Sequence, residues 1–384
     1  MRKWSRAITT MASAVLMLSA STALAHPIHL PNLESVQIVV DGVDNPRSLA
    51  FDGNGDLYIA AAGAGGTDAC TTNDQGLFCS GLTGAVLKVA AADIREASLT
   101  PAIPMPVVSG LISMAYPGGS IAHGLHGIAA KDGQTFVVFI GPELIGTAGS
   151  ETCCQASVQG ELREAALAQL GNLMTVSNGT LVKIADVDHF EYTENPVSNP
   201  ESNPYAVAID HDGSFVIADA AGNTIVRAQP DGSVSLVAAL DDIISGPEGQ
   251  SIQTVPTGIA IGPDGNYYVS LLAGFHPGFA RIVRITPQGV VKTLADGLSM
   301  LTSIAMAPGG TLYATEYSNG DLVRVRPDPE TPGAYLPAEV ILRGQFVTPT
   351  AVTVGPDGWV YVSDAGTFPG SYPVINGKIV RFKG

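Results

Sequence analysis

The 384-residue chain carries 35 acidic against 19 basic side chains, a formal net charge of −16. A surface of that sign repels nucleic acid and anionic lipid, so neither is an expected partner. Beyond residue 25 no stretch approaches the ~18 consecutive apolar residues of a membrane-spanning helix.

The chain begins with the cations Arg2, Lys3 and Arg6, followed by an apolar run from Ala7 to Leu24 that ends in Ala23-Leu24-Ala25. A basic start, an apolar core and an A-x-A triplet form the pattern of a secretory signal peptide over residues 1–25. Cleavage would leave residues 26–384 outside the cytoplasm, secreted or periplasmic, three charges more acidic and with no inserted segment.

From residue 48 onward one pattern recurs six times: a small or apolar run, a Gly-containing turn, then an aromatic and β-branched run. The copies span Ser48–Ala61, Gly127–Ile140, Ala206–Asp219, Gly258–Leu271, Ser303–Glu316 and Ala351–Asp364. Their turns are Asn54-Gly55, Asp132-Gly133, Asp212-Gly213, Asp264-Gly265, Gly309-Gly310 and Asp357-Gly358. Such dipeptides supply the positive φ of a tight hairpin. The later turns recur near the ~45-residue spacing of a four-stranded propeller blade. Third strands are read at Thr83–Ala90, Gly179–Ala185, Asn223–Gln229, Ala280–Pro287, Gly320–Arg326 and Asn376–Lys383. The pattern implies an all-β, six-bladed β-propeller in one domain. The last repeat stops at its third strand, so Ser35–Asp44 is expected to close it and remove the exposed edge.

Two insertions, 62–82 and 141–178, fall between second and third strands of the first two repeats, and so on one face. The second contains a helical pattern from Val158 to Leu170. Cys70 and Cys79 lie in the first insertion, Cys153 and Cys154 in the second. An even cysteine count in an exported chain implies at least one disulfide. Cys70–Cys79 is the local pairing and cross-flap bridges are the alternative.

The sequence contains no Walker loop, H-E-x-x-H, EF-hand loop or G-x-S-x-G. Gly63–Gly66 reads as a flap hinge. Candidate binding residues cluster at the axial mouth and its rim. Asn45 and Arg47 precede the first hairpin, and His123 and His126 the second. Asn203, Tyr205, Asp219 and Asn223 surround the third. His276, Glu316 and Asp364 sit in loops of the fourth to sixth. Imidazoles can ligate metal or transfer protons, and Asn and Asp oxygens suit a hard cation such as Ca²⁺. Asn203, Asp219 and His126 are the metal candidates.

The run Ser202–Thr224 resembles an NHL-type propeller repeat and, more closely, the ScyD/ScyE family of secreted propeller proteins. Val255–Phe279 and Asp186–Val197 carry the same likeness. The resemblance implies an extracytoplasmic protein, linked in its founding members to the making of a cyanobacterial sunscreen pigment. A more distant likeness, to six-bladed lactonases of the gluconolactonase and senescence-marker type, implies a divalent ion held by Glu, Asn and Asp at the channel mouth. Asn203 and Asp219 match two of these, whereas Asn45-Pro46-Arg47 offers no Glu. Strictosidine-synthase-like chemistry is a similarly distant likeness. The residues favour a scaffold that binds a small molecule, glycan or protein on the flap face. The alternative is a divalent-metal-dependent lactonase or esterase at the axis.

Overall fold

The computed structural model describes residues 36–67, 69–73, 76–97, 100–141, 158–194, 196–197, 201–244, 249, 251–364 and 377–384. The expected signal peptide, Cys153, Cys154 and the loop 365–373 lie outside the described residues.

Among the described residues the chain is all-β with three short α-helices, and its paired strands run antiparallel. Each repeat begins with a strand of one kind: Pro46–Phe51, Ser120–Lys131, Pro204–Ile209, Pro256–Ile261, Leu301–Met306 and Pro349–Val354. Each packs against its counterpart in the next repeat, and Pro46–Phe51 also contacts Pro349–Val354. Second strands such as Leu57–Ala61, Phe215–Asp219 and Tyr267–Leu271 are buried at every position. That burial reflects sheets stacked on both faces, and it explains their runs of Ile, Val, Ala and Tyr without strict alternation. Outer strands such as Val291–Leu298 are mostly exposed and correspondingly polar.

Apolar burial is spread over clusters that each join two successive repeats. One holds Val216, Ala218, Ile259, Tyr267 and Val269 between the third and fourth. Another holds Leu49, Leu57, Ile59, Tyr361 and Ile379 between the last and the first. The predicted closing segment is in place: Gln37–Val43 pairs with Gly377–Lys383, with Gln37 opposite Arg381 and Val43 opposite Gly377.

Most turns are longer than the two-residue hairpin the dipeptides suggest. In the third repeat Gly213 N–H donates to Asp210 O at 3.0 Å, and Asp210 N–H to Ser214 O at 2.8 Å, with Gly213 at φ 86°. The Asp212 carboxylate accepts Ser214 N–H at 2.9 Å, a local bond that fixes the turn. Asp132-Gly133, with φ 52° and 79°, has the two consecutive positive values of a primed hairpin turn, whereas Gly309-Gly310, at 96° and 87°, sits in the longer turn closed by Ala307 N–H to Thr311 O at 2.8 Å.

The second repeat differs from its sequence reading. Thr180–Asp186, expected as a third strand, is the fourth, and Asn172–Ser177 is the third. The two join through Asn178-Gly179, both at positive φ, a hairpin turn at the boundary between the expected insertion and the expected third strand. The expected helix is present at Gly160–Gln169. Its Gln169 Oε1 accepts Ile112 N–H at 2.8 Å, and Ala166 and Leu170 pack into the core shared by the first two repeats.

The first insertion extends the sheet. Ala69–Asn73 pairs with Gly76–Val89, which pairs with Met105–Tyr116, and Met105–Tyr116 with Ser120–Lys131. A disulfide joins the opposed Cys70 and Cys79. At Gly66 an added Cβ would lie 2.1 Å from the Ser80 carbonyl oxygen, so only glycine lets this segment lie against the flap.

Candidate functional site

Each first strand carries a β-bulge, at its second residue in five of them and at His126 within Ser120–Lys131. The register shifts between Pro46 and Ser48, Leu125 and Gly127, Pro204 and Ala206, Pro256 and Gly258, Leu301 and Ser303, and Pro349 and Ala351. Bulges re-aim a side chain at the cost of a ladder bond. The six bulged residues are Arg47, His126, Tyr205, Thr257, Thr302 and Thr350. All but His126 line a channel of ≈ 320 Å³ bounded by the first strands. His126 stacks edge-on against Tyr205, ring centroids 4.7 Å apart. Deeper, the channel is walled mainly by small and aliphatic residues, including Ala50, Ala208 and Ala260.

The ring divides into halves of different chemistry. On one half each threonine hydroxyl donates to the next repeat. Thr257 bonds Leu301 O at 2.7 Å, Thr302 bonds Pro349 O at 2.8 Å, and Thr350 bonds Pro46 O at 2.5 Å. These side chains are buried and satisfied, and they join repeat to repeat. On the other half sit Arg47, His126 and Tyr205. The Arg47 guanidinium reaches the Ala122 carbonyl, while its Nε is buried without a partner. His126 is 3% exposed, and neither ring nitrogen has a partner. The Nδ1 of His123 is in the same state. Buried polar atoms are rarely left unsatisfied, and four nitrogens of this kind stand together here.

Electrostatics agree. Burial, then the Arg47 charge, lowers His123 to about 3, and the same causes hold His126 well below the ordinary imidazole value. Both rings are neutral at physiological pH. Burial raises the phenols of Tyr205 and Tyr317, with Arg47 opposing it. Tyr317 thus belongs to this mouth, packed with Tyr205 beside Val255, Leu272 and Met300. Val255, β-branched and preceding a proline, sits at φ 52°, a strained conformation of the kind found around ligand sites.

The other sequence candidates hold the scaffold. Asn45 is 2% exposed, and its Nδ2 donates to Gly63 O at 2.8 Å and Gly119 O at 2.7 Å. Asn223 Oδ1 accepts Val255 N–H at 2.8 Å. Asp219, Glu316 and Asp364 end second strands and each accepts a backbone N–H from the turn leading into its own first strand. The donors are Asn203, Ser299 and Thr348, at 2.6, 2.7 and 2.8 Å. His276 stands apart, in a loop where Ala273, Gly274 and Phe275 all have positive φ. Sequence reasoning missed Glu191. It is fully buried on the helix Val187–Glu194, bonded to the Thr224 hydroxyl, with Oε2 unpartnered.

Among the described residues no three His, Cys, Asp or Glu side chains are grouped to hold a metal ion. The trio Asn203, Asp219 and His126 fits a divalent cation poorly. Both Asp219 oxygens already accept bonds, from Ser202, Asn203 and Gly222, and the nearest fixed charge to His126 is the Arg47 cation. A second cavity of ≈ 580 Å³ is lined by Asp296, Glu316, Asp321 and Arg343, and the last three are engaged. Arg343 lies 3.8 Å from Asp321, and Glu316 accepts Ser299 N–H.

No family model matches the chain, and no curated protein matches it. Solved structures do. A gluconolactonase from Xanthomonas campestris superposes with a TM-score of 0.53 at 12% identity, covering 92% of this chain and 90% of that one. The PQQ-bound aldose sugar dehydrogenase of Streptomyces coelicolor gives 0.51 at 13%, covering 92% and 98%. A luciferin-regenerating enzyme gives 0.51 at 11%, covering 91% and 95%. All are β-propellers, and at such identities the likeness establishes the fold alone. The chain is a β-propeller. Lactonase-type propellers are among the structures it is similar to.

Proposed function

We propose that this chain is an exported, single-domain, six-bladed β-propeller of the ScyD/ScyE type that binds a small molecule at the flap-side mouth of its channel. The count of six rests on the six bulged first strands, packed in succession. The single domain rests on the contact of the last with the first and on the closing strand Gln37–Val43. Export rests on the basic and apolar start of the chain. No helix among the described residues is long and apolar enough to cross a membrane.

One observation carries the binding reading. Unpartnered buried nitrogens of Arg47, His123 and His126 crowd one half of the bulge ring, whereas the threonine half is satisfied. A thermal-shift screen of small molecules tests it. Compounds that raise Tm in the native chain are expected to lose that effect in a His126→Phe, Tyr205→Leu variant that still folds. Hits indifferent to these substitutions would place binding elsewhere.

A second reading is a divalent-metal-dependent lactonase or esterase. Asn203 Oδ1 favours it, being buried without a partner beside Asp219. Elemental analysis of the purified chain tests it. Bound Ca, Mg, Mn or Zn lost on Asn203→Ala supports it. Metal-free protein with no thermal shift on adding these ions ends it.

A further inference from the structure

The mouth specifies the chemistry of its occupant. Among the described residues, no carboxylate lies within ion-pair distance of Arg47, whereas seven other cationic side chains have acidic partners. A half-buried guanidinium with one backbone bond and an unpartnered Nε is costly unless an anion completes it. Its neighbours add no second charge, since burial keeps both histidines neutral. The threonine half has its hydroxyl protons already donated to carbonyls, so it offers an anion no donor. The mouth is therefore monocationic, and its cation stands at one edge.

Beside that cation runs a wall of rings. Tyr116, Phe78, His123, His126 and Tyr205 follow one another at centroid separations of 5.1, 5.9, 6.0 and 4.7 Å. The wall begins on the flap strands of the first repeat and ends at the axis. Rings at this spacing favour a planar partner. A planar fork of donors matches a carboxylate, whereas a phosphate dianion calls for more positive charge than one arginine supplies. The ≈ 320 Å³ channel lies at the small end of ligand sites, too small for a folded partner.

Resting on the reading of the mouth as a small-molecule site, we infer that its ligand is a planar organic monoanion. It is an aromatic or conjugated carboxylate, its carboxylate on Arg47 and its ring against Tyr205, which lines the channel with Arg47 and is backed by His126.

Calorimetric titration of the full chain with matched probes decides it: 2-naphthoate against 2-naphthamide, and benzoate against benzamide. Each acid is expected to bind at least about tenfold more tightly than its amide. Arg47→Gln is expected to bring the pair within about twofold while amide affinity is kept. Arg47→Lys, which keeps the charge and loses the fork, is expected to weaken the acids severalfold and leave the amides unchanged; it serves alone should Arg47→Gln not fold. Amides that bind as tightly as acids, or an acid preference undiminished by these substitutions, would overturn the anion assignment and leave the small-molecule site standing. Absence of binding by all four probes would overturn both.

Discussion

Arg47 and Asn45 stand two residues apart and do opposite jobs. Asn45 has its amide protons placed on two carbonyls, Gly63 and Gly119, that it ties across the insertion. Asn45→Ala would strand both buried carbonyls. It is expected to cost about 1–3 kcal/mol, read as a lower denaturant midpoint at unchanged m-value. Glu191 makes stability depend on pH. Burial, then the neighbouring Asp219 charge, raises it to about 8 from an ordinary 4.5, the Thr224 hydroxyl opposing and Asp188 adding to the rise. The folded chain therefore holds a proton that the unfolded chain releases near pH 4.5. This contribution to stability is present below about 4.5 and fades as pH rises through about 8. Glu191→Gln keeps the bond to Thr224 and removes the ionisation. It is expected to flatten the decline and raise Tm relative to the native chain at pH 8, while matching it near pH 4.5. A variant as pH-sensitive as the parent would contradict the assignment.

At the scale of elements, the bulged first strand is the unit on which the mouth is built. Thr302 bridges to the Pro349 carbonyl, so Thr302→Val, close in shape, is expected to cost about 1–2 kcal/mol by chemical denaturation. The flap disulfide is local, closing a sequence separation of 9. Replacing Cys70 and Cys79 by Ala is expected to hasten proteolysis within the flap more than it lowers global Tm. Strands and turns were legible because Asp-Gly and β-branched runs report local geometry. The bulges were not, since an extra residue opposite one partner leaves no compositional mark, and Leu301-Thr302 lacks the proline found in four of its counterparts. Arg47, His123, His126 and Tyr205 were named from their position before the hairpins. That these four meet, while Asp219, Glu316 and Asp364 tie turns, depends on side-chain direction that the pattern does not encode. Asn178-Gly179 is a legible hairpin signal that marks the third and fourth strands of the second repeat on its two sides.

For the whole molecule, the core is a circle of interfaces between sheets, so stability depends on every sheet having a neighbour. The closing strand Gln37–Val43 supplies the outer edge of the last sheet and buries Val39 and Val40 fully. Removing residues 36–43 would expose that edge and is expected to yield aggregated protein, seen as loss of the soluble monomer peak by size exclusion. Closure also fixes which groups face the axis, and the account of function depends on that placement. A crystallographic fragment screen tests it most directly. The account predicts that bound planar fragments lie in the channel between Arg47 and Tyr205, against the Tyr205 ring. Fragments found only in the outer clefts, with the Arg47 half of the ring left to water in every crystal, would contradict it.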